Sequence, residues 1–136
     1  MGNPPSTTAS PARPTASQED LDAITAVTLD YLEGYVCADP ARHQRAYHPE
    51  AIKRRYFQDR DGVFGVTTIS PQTMTDLAAV QRPGDRAAEI IIDDVYGDIA
   101  SVRLYSTRWV DYLHVVKARG EWKLFHVTWR AVDPAD

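Results

Sequence analysis

Four strand-like segments separated by short turns fill the last third of the chain, and they leave one simple topology for it. They run over residues 88–96, 99–106, 110–118 and 122–132, with Gly97-Asp98 and Arg119-Gly120 as turns. Connections this short force antiparallel pairing, because a parallel crossover needs about a dozen residues or more. The region therefore reads as a four-strand meander. Strand alternation sets Asp111, Leu113 and Val115 on one face, and Tyr112, His114 and Val116 on the other. Phe125, Val127 and Trp129 are read as sharing one face of the last strand. Trp109, Trp122 and Trp129, with Tyr105 and Tyr112, load the meander with aromatic side chains suited to a core or a subunit interface.

Upstream the period changes from two to that of a helix. Ser17 and Asp20 fit an N-cap box. Ile24, Val27, Tyr31 and Tyr35 then recur at helical spacing, with Leu21, Leu32 and Val36 beside them. This predicts a helix over 19–37. Asp39-Pro40 starts a second, short helix, with aspartate as cap and proline at the first helical position. That helix ends before His48-Pro49, since the residue before proline is pushed out of helical geometry. Residues 51–57 and 63–69 read as a strand pair around the polar turn Gln58-Asp59-Arg60-Asp61-Gly62. Ser70-Pro71 or Thr73 caps a third helix carrying Met74, Leu77, Ala78 and Val80. Helices segregated from a mainly antiparallel sheet define an α+β domain. Residues 1–18 hold four prolines and many Ser, Thr and Ala. They have no apolar set to bury, so they are expected to be a disordered tail before one domain over 19–133.

Composition removes several function classes. The chain has 136 residues, which is one domain and enough to bury a core without metals or disulfides. Its net charge is −4 and its basic residues are scattered, whereas a nucleic-acid groove wants a basic stripe. No apolar run reaches the ~18 residues of a membrane span. Cys37 is the only cysteine, so no intramolecular disulfide forms, and a cytoplasmic location is expected. Phosphate-binding glycine loops, nucleophile elbows and His-Glu-x-x-His motifs are absent from the sequence. His114 and His126 flank the Arg119-Gly120 turn and suit a cross-strand pair. Two histidines fall short of the three or four protein ligands zinc takes, so neither a metal nor a cofactor is expected.

The element order is joined by Tyr31-Leu32-Glu33-Gly34-Tyr35 and Tyr47-His48-Pro49-Glu50 near the start. Asp94-Val95-Tyr96-Gly97, Ala100-Ser101-Val102-Arg103, Val110-Asp111-Tyr112-Leu113-His114 and Gly120-Glu121-Trp122-Lys123 follow. Together these resemble the nuclear transport factor 2-like superfamily, and within it the lumazine-binding branch. The resemblance implies a cystatin-like roll: a curved sheet wrapped by helices into a cone open at one end. It also implies a small-molecule pocket and a homodimer through the outer face of the sheet. The superfold hosts isomerases, cyclases, dehydratases and non-catalytic binders.

Comparison with ketosteroid isomerase, a member of that superfamily, names candidate residues. That enzyme uses a tyrosine and a protonated aspartic acid as an oxyanion hole, and a second aspartate as base. Its tyrosine lies on the first helix, eight residues before an aspartate, as Tyr31 lies before Asp39. Its oxyanion aspartic acid opens the next-to-last strand, where Val110-Asp111-Tyr112 stands here. Its base position falls at about Arg55, which cannot accept a proton at neutral pH. His48 is the nearest substitute base. If Arg55 points inward it pairs with Asp111 and keeps that carboxylate charged. The leading expectation is a cofactor-free isomerase, cyclase or dehydratase acting on an enolisable carbonyl compound through Tyr31, Asp111 and His48. The alternatives are a binding module, with Arg55, Tyr35 and Trp129 holding an anionic or planar ligand, and a dimeric scaffold domain.

Overall fold

The structure is a computed structural model and describes residues 15–132, so the expected tail lies almost wholly outside the described residues. The element order is α1 (Gln18–Val36), α2 (Pro40–Arg45), β1 (Tyr47–Gln58), β2 (Phe64–Ile69), α3 (Pro71–Ala79), β3 (Ala88–Tyr96), β4 (Ile99–Ser106), β5 (Trp109–Ala118) and β6 (Glu121–Ala131). Each helix begins where its cap chemistry dictates. The Asp20 amide donates to Ser17 Oγ at 3.0 Å, the Arg42 amide to Asp39 Oδ1 at 3.2 Å, and the Thr73 amide to Ser70 Oγ at 3.0 Å. These bonds satisfy helix-end N–H groups that otherwise have no partner.

The six strands form one sheet in the order β2-β1-β6-β5-β4-β3. Every pairing is antiparallel except β1 with β6, where the N-terminal strand pair joins the meander in parallel. The helices cover one face. Ile24, Val27, Tyr31, Leu32 and Val36 of α1 are buried, opposite Val102, Leu104, Leu113, Val115, Leu124 and Val127 of the sheet. Asp20 pins the start of α1 to the β5–β6 hairpin, accepting from Trp122 Nε1 at 2.9 Å and Lys117 Nζ at 3.0 Å. Gly34 lets α2 fold back on α1, since a Cβ there would lie 2.5 Å from the His43 backbone nitrogen.

Two local readings are corrected. Strand β1 begins at Tyr47, not at residue 51, and so contains Pro49. The β1–β6 ladder pairs Tyr47 with Leu124 and resumes only at Ile52 with His126. Pro49 falls in that irregular stretch, where no ladder bond needs its missing N–H. Phe125 does not share a face with Val127 and Trp129. The β5–β6 register jumps from His114–His126 to Val115–Leu124, leaving Phe125 as an extra residue. A bulge of this kind reverses the alternation across it. Trp122, Leu124 and Val127 are buried, while Phe125 packs 4.7 Å from the exposed His126 ring. A further register shift in β3, between Ile92 and Asp94, adds to the bending of the sheet.

A candidate pocket floored by Lys53, Tyr31 and Asp111

Between the helices and the concave sheet lies a cavity of about 150 Å³. Its walls are mostly apolar: Leu32, Tyr35, Ile69, Met74, Trp109 and Trp129 among them. Tyr31, Lys53 and Asp111 converge in it, with the His43 ring of α2 beside them. Tyr31 comes from the buried stripe of α1. Asp111 and Lys53 come from β5 and β1, which flank β6 on either side. Asp111 pairs with Trp129 across one ladder, and Lys53 with Val127 across the other. Strand alternation turns all of these toward the cavity.

Tyr31, Lys53 and Asp111 are 4%, 5% and 3% exposed, a degree of burial at which an ionised side chain normally needs a partner. Here the tyrosine hydroxyl supplies it to both charges. Lys53 Nζ donates to the Tyr31 oxygen at 2.5 Å, and the Tyr31 hydroxyl donates to Asp111 Oδ1 at 2.7 Å. Lys53 Nζ also stands 4.8 Å from the Tyr31 ring centre and 5.3 Å from that of Trp129, within cation–π range. Burial pushes the Lys53 ammonium down to about 8, a fall that the Asp111 charge partly opposes. Burial pushes the Asp111 carboxyl up, opposed by Lys53 and by the Tyr31 hydrogen bond. Tyr31 is driven well above its ordinary range by burial and by the Asp111 charge, so it keeps its proton and serves as a bridge.

A second chain of bonds holds Tyr31 in place. His43 is fully buried, and its Nδ1–H donates to the Tyr31 carbonyl at 2.7 Å. The opposite nitrogen then accepts from the Tyr47 hydroxyl at 3.0 Å. Burial lowers His43 to about 4, so the ring is neutral at physiological pH and this tautomer is the one that satisfies both partners. The Tyr31 and His43 rings stack at 5.3 Å, and Tyr47 meets both edge-on.

Of the residues singled out from sequence, Tyr31, Asp111, Tyr35 and Trp129 line the cavity. Arg55 lies on the same face of β1 as Lys53 but beyond the cavity, with its guanidinium 5.1 Å from the Trp129 ring and 5.2 Å from Phe57. It makes no pair with Asp111; Lys53, two residues earlier, holds the position facing the carboxylate. His48 is turned to the other face of the sheet. Its Nδ1 accepts from the Glu50 amide at 3.0 Å and its ring sits 5.3 Å from Phe125. Tyr47 takes the inward position beside it, so strand alternation carries His48 away from the cavity. His114 and His126 do pair across strands, with ring centres 5.7 Å apart on the outer face, and no set of three metal-ligating side chains occurs among the described residues. Lys53 was missed. Its signal was the period-two spacing from Arg55, which puts both on one face once either is assigned inward.

No helix among the described residues is long and apolar enough to cross a membrane. No curated protein matches the sequence. Solved structures do match over nearly the whole described domain. A nuclear transport factor 2-like protein of unknown function from Shewanella baltica superposes with a TM-score of 0.72 at 24% identity, covering 90% of this chain and 100% of the other. A ketosteroid isomerase-like protein from Erwinia carotovora atroseptica gives 0.57 at 13% identity, over 87% and 100%. A protein with a cystatin-like fold from Nostoc punctiforme gives 0.59 at 11%, over 86% and 94%. At these identities the similarity establishes the fold. The sequence match to the family described as "Putative lumazine-binding" runs over residues 19–130, and the chain therefore belongs to that family within the nuclear transport factor 2-like fold.

Proposed function

We propose that this chain binds a small single-ring carbonyl compound in the cavity and catalyses proton transfer at the carbon beside the carbonyl, without a cofactor. The observation that carries the reading is the Lys53–Tyr31–Asp111 hydrogen-bond chain on the floor of an otherwise apolar cavity. A cavity of about 150 Å³ accepts one benzene-sized ring, which sets the size of the molecule. An ammonium has three N–H donors, and Lys53 spends one on Tyr31. The others are free to meet a developing enolate oxygen, where a fixed donor in an apolar site is most effective. Asp111, kept basic by burial, is the group suited to take or return the carbon-bound proton. This replaces the protonated-acid role that the ketosteroid isomerase comparison suggested for Asp111, because a cation shares its hydrogen-bond chain. Deuterium uptake from heavy water into cyclohexanone, followed by NMR, tests the reading. Asp111→Asn is expected to slow catalysed uptake by roughly a hundredfold. Uptake that is unchanged in this variant defeats the catalytic reading.

A second reading is supported by a separate observation. Among the described residues, Arg55 Nε and Trp129 Nε1 are buried N–H groups with no acceptor, adjacent to each other at the cavity wall that Trp129 forms. Such groups are costly unless an acceptor reaches them. A planar ligand with carbonyl oxygens supplies one, and lumazine, which the family description names, is of that kind. A bicyclic molecule exceeds the one-ring floor and would project across Trp129 toward Arg55. Calorimetric titration with lumazine separates binding without turnover from the first reading. The same proposal includes a cytoplasmic homodimer through the outer sheet face, where Tyr112 is 56% exposed and His114 and His126 stand beside it. Light scattering tests the dimer.

A further inference from the structure

Lys53 is placed for more than hydrogen bonding. Its Nζ ends inside the cavity, and among the described residues its only hydrogen bond is to the Tyr31 hydroxyl. The groups facing it are the Tyr31 hydroxyl from α1, the neutral His43 ring from α2, the Asp111 carboxylate from β5 and the Trp129 ring from β6. A buried ammonium and a buried carboxylate joined through one hydroxyl form a two-step proton wire. Moving one proton from Lys53 to the Tyr31 oxygen, while the hydroxyl proton moves to Asp111 Oδ1, leaves a neutral amine, a neutral phenol and a neutral acid. An apolar cavity favours that uncharged set far more than water does. The product is a lysine amine with a free lone pair, held against a ring-sized space.

We propose that Lys53 is a nucleophile that forms an imine with small aldehydes or ketones in this cavity, with Asp111 acting through Tyr31 as its proton shuttle. The assignment rests on the cavity accepting a carbonyl compound, as argued above. The step balances without an added oxidant or reductant. After the proton shift, the Lys53 lone pair forms a C–N bond to the carbonyl carbon and the C=O π pair moves to oxygen. That oxygen takes the proton back from Asp111, giving the carbinolamine. A nitrogen proton passes along the wire to Asp111 and then to the hydroxyl, the C–O bond breaks, and water leaves as the nitrogen lone pair closes the C=N bond. The net change is ammonium plus carbonyl giving iminium plus water. Burial lowers the proton affinity of Lys53 in the direction this requires.

The chain carries its own controls, because it has only two other lysines, Lys117 and Lys123. Lys117 is paired with Asp20, and Lys123 lies near Glu121. The test incubates the wild-type protein with benzaldehyde and sodium cyanoborohydride, which delivers hydride to an iminium carbon and fixes it as a secondary amine. Peptide mapping by mass spectrometry then locates the benzyl group. The expected result is labelling of Lys53 faster than Lys117, Lys123 and the N-terminal amine by roughly tenfold or more. Labelling of Lys53 no faster than these overturns the assignment. In parallel, the indole resonances of Trp129 and Trp109 are followed as benzaldehyde is added without reductant. If they shift saturably while Lys53 stays unlabelled, imine formation fails and the carbonyl pocket stands. If neither occurs, both fail. No variant is needed, so a folding defect cannot confound the outcome.

Discussion

Replacing Lys53 by methionine should change how stability depends on pH, and the size of the change follows from the burial of one ammonium group. Lys53 has an ordinary value of 10.5 and is held at about 8 in the folded chain. Below pH 8 the folded protein carries a charge that its surroundings disfavour. Between about 8 and 10.5 the unfolded chain binds the proton and the folded one does not, so stability rises with pH across that window. The difference of 2.5 units, at about 1.4 kcal/mol per unit, corresponds to about 3 kcal/mol. Methionine has nearly the same length and no proton to lose, so Lys53→Met lacks this rise. Urea unfolding of both proteins from about pH 7 to 11 gives the comparison, since titration of groups not coupled to Lys53 cancels in the difference, and Asp111, which loses its cation in the variant, is pushed further up there. Wild type should gain about 3 kcal/mol on the variant over the range, nearly all of it above pH 8. A difference that stays flat to within ~0.5 kcal/mol would mean that Lys53 is solvated, and would refute the buried-ammonium reasoning.

Other outcomes follow from neighbouring contacts. Tyr31→Phe removes the hydroxyl that serves both Lys53 and Asp111, and is expected to cost about 2–3 kcal/mol in urea unfolding at neutral pH. Tyr47→Phe removes a single bond to His43 and should cost about 1 kcal/mol. His43 is lowered from 6.5 to about 4, so the unfolded chain binds its proton first as pH falls, and stability should drop by up to about 3 kcal/mol over that window. Nitrogen NMR of the His43 ring should find it neutral until about pH 4. Gly34→Ala puts a Cβ 2.5 Å from the His43 backbone nitrogen, and overpacking there should lower stability by roughly 1–3 kcal/mol in thermal melts.

The fold was largely legible because its signals are local. Ser17, Asp39 and Ser70 mark the helix starts by side-chain chemistry that depends on three or four residues. The bounds 88–96 and 99–106 of β3 and β4 could be read directly, since alternation and the Gly97 turn agree. What failed was information held between strands. The extra residue at Phe125 and the irregular start of β1 are properties of the β5–β6 and β1–β6 ladders, and neither strand shows them alone. The candidate site divides the same way. Tyr31 and Asp111 stood out by their positions on α1 and β5. Lys53 sits in the run Lys53-Arg54-Arg55, where a one-residue shift decides which cation enters the cavity. Only the pairing of Lys53 with Val127 and of Arg54 with Thr128 fixes that phase.

The central claim is that a small carbonyl compound lies on the Lys53–Tyr31–Asp111 floor, and the three tryptophans report on it directly. Trp109 and Trp129 line the cavity, while Trp122 donates its indole N–H to Asp20, outside it. The measurement is the proton–nitrogen spectrum of the three indole groups during titration with cyclohexanone and with benzaldehyde. Saturable shifts of Trp109 and Trp129, with Trp122 unmoved, are the predicted result. Three resonances that stay still with both compounds, or that all drift together without saturating, would contradict the claim.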